Sequence, residues 1–141
     1  MQALSADQKV QPTALITLHD QTRNAIRGFA VMVEKAEPSF QATARQFLSL
    51  HQRQAEALLQ LLQAQGQDVD RDGTLMGAVN EVVVSVRAFF DEIDADTLQQ
   101  IRKGEDHILK AFDAAIAEQG GATADKLRAM RADLTQLLAA V

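Results

Sequence analysis

The chain of 141 residues contains no Cys, Trp or Tyr, only two Pro, and six Phe as its entire aromatic content. Without Cys there are no disulfides, no thiolate metal ligands and no Cys nucleophile. So few aromatics leave no platform for stacking nucleic-acid bases. Positive charge is also short: 14 Lys and Arg face 19 Asp and Glu, a formal net charge of -5. That balance disfavours general nucleic-acid binding, which needs a basic surface against phosphate. It equally disfavours stable association with anionic membrane surfaces. No apolar run approaches the roughly 18 to 20 residues that span a bilayer. The opening MQALSADQKVQP lacks the basic-then-apolar order of a secretory signal, so a cytoplasmic location is expected. What remains is 47% hydrophobic and 23% charged residues, an ordinary globular balance.

The two prolines, Pro12 and Pro38, sit where helices can begin, since the first helical turn tolerates proline. Between them Leu15, Leu18, Thr22, Ile26, Phe29 and Val33 recur at three- and four-residue steps, which predicts a helix over 13–35. Phe40, Ala44, Phe47, Leu50, Leu58, Leu61 and Leu62 continue the pattern, with an outward face rich in Gln and poor in charge. They predict a helix over 38–65, roughly 40 Å long, ending near Gly66. GQDVDRDGT reads as a polar connection. A further helix is expected at 74–90, carrying Leu75, Val79, Val82, Val83, Val86, Phe89 and Phe90. Asp94 or Asp96 can cap the next helix. Its stripe is Leu98, Ile101, Ile108, Leu109, Phe112 and Ile116, and Gly120-Gly121 end it. Thr123 or Asp125 opens a last helix carrying Leu127, Met130, Leu134, Leu137, Leu138 and Val141. Residues 1–12 are expected to be a flexible tail, and 13–141 one all-α bundle domain.

The residues that break the pattern carry the functional question. On the wheel of 38–65, His51 lies about 40° from Phe47 and Gln54 about 20° the other way. On the next stripe, Glu105 lies about 20° from Leu98 and Ile116, and on the first helix Thr22 is central. A buried carboxylate without a partner costs several kcal/mol, so it is protonated, paired or bound to a cation. Two readings follow: a hydrogen-bonded core network of Glu105, His51, Gln54 and Thr22 that fixes helix register, or a metal site in which Glu105 and His51 are ligands.

A di-iron carboxylate bundle needs a Glu from each of two helices and a Glu-x-x-His from each of the other two. Here the residues three after Glu56, Glu81 and Glu105 are Leu59, Val84 and Ile108, so no metal site is expected. A mononuclear site for iron or another divalent metal, completed by water, stays open as the alternative. His19-Asp20 weakly resembles a hemerythrin-type pattern, but three His are too few for that site, and the pair reads as a solvated helix edge. Asp68, Asp70, Asp72 and Gly73 resemble the start of a Ca²⁺ loop. The closing Glu of such a loop is missing, because Val79 stands where it belongs. Neither a Walker-type phosphate loop nor a Gly-x-Ser-x-Gly elbow occurs.

Asn24-Ala25-x-x-Gly28-Phe29, then GQDVDRDGTLMGAV, then KGEDHILKAFDAAI resemble, in that order, the bacterial ferritin-like, rubrerythrin-related four-helix-bundle domains of unknown function. Gly104-Glu105-Asp106 with Lys110-Ala111-Phe112 is the closest stretch, and Gly73-Thr74 with Gly77 matches the middle. Asn24 stands where those relatives have Asp, and Phe112 where they usually have Tyr. The resemblance implies an antiparallel ferritin-like four-helix bundle with an additional crossover helix at 74–90. It also implies a homodimer or larger homo-oligomer.

Three functions compete. The first is a non-catalytic bundle acting through self-assembly or an unidentified protein partner in stress physiology, with Val84 and Phe90 as interface residues. The second is a metal-dependent oxidase or metal store with a degenerate site. The third is a bundle that opens onto lipid, which the acidic balance disfavours.

Overall fold

The computed structural model describes residues 12–69 and 95–141. Among the described residues there are four helices and no strand. They are α1 (Thr13–Lys35), α2 (Pro38–Ala64), α3 (Ala95–Gln119) and α4 (Gly121–Ala140). The expected helix at 74–90, the caps Asp94 and Asp96, and the contact residues Val84 and Phe90 lie outside the described residues, or have side chains that do. So does the tail at 1–11.

Local chemistry sets the helix ends. Pro38 occupies the first turn of α2, where its missing N–H costs nothing. At the far end Gly66 adopts φ 81°. The Gly66 N–H donates to the Gln63 carbonyl and the Gln67 N–H to the Leu62 carbonyl, both at 3.0 Å. These are the two closures of a Schellman stop, and the left-handed backbone suits glycine. The last helix starts earlier than expected. α4 begins at Gly121 directly after Gly120 (φ 69°), so neither Thr123 nor Asp125 caps it.

The helices form a ring in which α1 packs on α2 and α3, α3 on α4, and α4 lightly on α2. Side-chain bonds give the directions. The start of α1 meets the end of α3, where the Glu118 carboxylate accepts from the Ala14 and Leu15 N–H groups at 2.9 and 3.3 Å. The end of α2 also meets the end of α3, through Gln65 and Gln119. Ring neighbours are therefore antiparallel, and the diagonal pair α2 and α3 runs in one direction.

One core unites all four helices. It contains Leu15, Phe29, Phe47, Leu58, Phe112, Leu127 and Leu134, all nearly or fully buried. Each such side chain contributes about 1.5 to 3 kcal/mol relative to exposure. Phe29 and Phe47 stack with centroids 5.0 Å apart and planes 9° from parallel.

α1 departs from a one-sided amphipathic helix. Besides its apolar stripe it buries His19, Asp20, Asn24 and Gly28. The last three recur every four residues, roughly opposite Thr22 on the wheel. His19 and Asp20 are only 1% and 8% exposed. The expectation of a solvated His19–Asp20 edge is thus wrong, because α1 buries two opposite faces and leaves this pair no outer edge.

Candidate functional site

The centre of the ring holds a polar contact between its diagonal helices. His51 on α2 is fully buried and Glu105 on α3 is 3% exposed. His51 Nε2 lies 2.8 Å from Glu105 Oε1, the length of a charge-assisted hydrogen bond. With the carboxylate accepting, the ring nitrogen donates.

Helix periodicity accounts for both positions. His51 is one turn beyond Phe47, so it inherits the inward face, and its ring lies against two Phe rings. Centroid distances are 5.7 Å to Phe29 and 6.5 Å to Phe47, with tilts of 27° and 26°. The aromatic wall holds the imidazole plane and aims Nε2 across the core. Glu105 sits between Ile101 and Ile108, both buried, at helical spacings of four and three.

The other two polar residues read as inward on the wheel are buried but bond elsewhere. Gln54 Nε2 donates to the Met130 carbonyl on α4 at 2.8 Å. This stitches the thinnest seam of the ring. Thr22 Oγ1 donates to the Leu18 carbonyl of its own helix at 2.8 Å, a local back-bond that satisfies the hydroxyl without joining helices. The structure therefore brings His51 and Glu105 together, while Gln54 and Thr22 are separate from that pair. Within these four side chains, His51 Nδ1 and Gln54 Oε1 are buried without a hydrogen-bond partner.

The geometry bears on metal ligation. Two donors on one tetrahedral zinc-type ion, each about 2.1 Å from it, sit roughly 3.4 Å apart. His51 and Glu105 approach closer than that and use their facing atoms on each other. No group of three or more His, Asp and Glu side chains that could hold an ion occurs among the described residues. Of the loop resembling a Ca²⁺ site, only Asp68 lies among them, and it is exposed. A direct His–Glu pair, with the imidazole against the Phe29–Phe47 stack, can fix helix register and exclude mispacked alternatives.

Sequence reasoning missed Asp20, Asn24 and Gly28 as buried positions. The signal was present as their four-residue spacing, but they fall on the face a one-sided wheel assigns to solvent. Asn24 Oδ1 accepts from Arg27 Nη1 at 3.3 Å, so the buried amide is partly satisfied within its own helix. Among the described residues no helix is long and apolar enough to cross a membrane.

No curated protein and no solved structure matches the chain. A family model described as "Domain of unknown function (DUF2383)" matches residues 12–118, which takes in α1, α2 and α3 and stops short of α4. Extending over most of the chain, that match shows that the protein belongs to the DUF2383 family.

Proposed function

We propose that this protein is a non-catalytic bundle of ferritin-like descent that acts in the cytoplasm through self-assembly or by binding a protein partner. The observation that carries the reading is the direct His51–Glu105 contact at 2.8 Å. It spends on each other the side chains that a metal-dependent ancestor would direct at an ion. The ferritin-like part draws support from helix directions. α2 and α3 run in parallel while every pair of ring neighbours is antiparallel, the directions expected of a ferritin-like bundle. The motif order in α1 and α3 points the same way.

Size-exclusion chromatography with light scattering tests the assembly part. A mass at least twice the 15.4 kDa of the chain is expected, and a strict monomer that captures no protein partner ends the reading.

A second reading, a weak divalent-metal site, is favoured by one observation. His51 Nδ1 and Gln54 Oε1 are buried donor atoms without partners, one helical turn apart on α2. Elemental analysis after expression with added iron, manganese and zinc separates the two readings. Less than about a tenth of an equivalent of any metal, unchanged in Glu105→Ala, removes the second.

A further inference from the structure

The seam between α2 and α4 is open on the outside. A groove of about 670 Å³ runs along it, floored by Leu50 and Leu137 and edged by charged and amide side chains. On the α2 side stand Arg45 and Arg53, both exposed. Among the described residues neither meets a carboxylate, and Arg53 Nη1 donates to the Ser49 hydroxyl at 2.8 Å. On the α4 side stands exposed Asp133, which pairs with no cation among the described residues. The groove thus holds two guanidinium groups without carboxylates and a carboxylate without a cation.

The two arginines are eight residues apart on one helix, about 12 Å along its axis. An extended occupant carrying a carboxylate between them fits, and the α4 edge of a second copy has that form. A two-fold axis along the groove lays α2 of one copy over α4 of the other, antiparallel and at the same height. The partner's Asp133 then faces the interval between Arg45 and Arg53, and the reverse pairing is repeated by symmetry. Between the charged pairs α2 residues of one copy face α4 residues of the other, and neutral groups that both donate and accept can pair there. Ser49, Gln46 and Gln136 line this groove and all are of this kind.

We infer that the α2–α4 groove is the isologous interface of a homodimer, in which Asp133 of each copy pairs with Arg45 and Arg53 of the other. The inference rests on the assembly reading and names its surface. The test is sedimentation equilibrium of the full chain. Asp133→Arg sets like charges against each other and should raise the dimer dissociation constant at least about tenfold. The triple variant Arg45→Asp, Arg53→Asp, Asp133→Arg should restore it, with helix content followed by circular dichroism. Because the chain has no Cys, cross-linking gives a second measurement with milder variants. Ser49→Cys protein mixed with Gln136→Cys protein should oxidise mainly to the mixed disulfide. A dimer insensitive to Asp133→Arg, or one that cross-links only Ser49→Cys to itself, overturns this interface and leaves assembly through another face standing. A wild-type monomer overturns both.

Discussion

His51 and Glu105 meet at 2.8 Å between helices that are not neighbours in the ring. Their contact crosses the diagonal of the bundle, where side chains from all four helices converge. The pair ties α2 to α3 across a diagonal that has little other backbone packing. Its loss is therefore felt by the whole core.

Removing one member leaves the other buried without its partner. Glu105→Ala is expected to cost about 3 to 5 kcal/mol, seen as a melting temperature lower by on the order of 10 °C. The double variant His51→Leu, Glu105→Leu should recover wild-type stability or exceed it, because apolar groups of similar volume carry no desolvation cost. Urea denaturation of the three proteins checks this. A double variant as unstable as the single one would show that packing, rather than the polar contact, sets the loss.

Phe47 is fully buried and stacks on Phe29 while supporting the His51 ring. Phe47→Ala should cost about 3 to 5 kcal/mol through lost transfer energy and the cavity left behind. It also removes one wall of the imidazole slot. The His51 ring signals should then broaden in proton NMR, and sharp unshifted signals would count against a positioning role for Phe47.

The start of α1 has no side-chain cap of its own. The Glu118 carboxylate from α3 takes that role for the Ala14 and Leu15 amides. Glu118→Ala should destabilise by about 1 kcal/mol, the usual cost of a lost cap. Amide exchange at residues 14 and 15 should quicken more than in the middle of α1. Uniform acceleration along α1 would mean that Glu118 acts through global stability instead.

Gly120 joins α3 to α4 with φ 69°, a conformation that residues with a Cβ rarely adopt. No neighbouring atom would obstruct a methyl group there, so the cost is conformational alone. Gly120→Ala should destabilise by about 1 kcal/mol, while Gly104→Ala, within α3 and equally open, should stabilise by up to about 1 kcal/mol. Thermal melts of the two variants should move in opposite directions.

The sequence by itself determined the four described helices and most of their inward positions. Apolar spacing is a property of neighbouring residues, and Leu15, Phe47, Leu58, Phe112 and Leu127 occupy the core where their periodicity puts them. It also placed Glu105 and His51 on inward faces. Tertiary structure alone decided which inward groups meet. Thr22 and Gln54 are as buried as the pair, yet one bonds its own helix and the other a carbonyl 76 residues away. It alone decided that α1 buries a second face, which turned His19, Asp20 and Asn24 inward, and that Glu118 serves an amide 104 residues away. A helical wheel reports direction around one axis, whereas contacts between helices depend on the order, tilt and height at which separate axes pack.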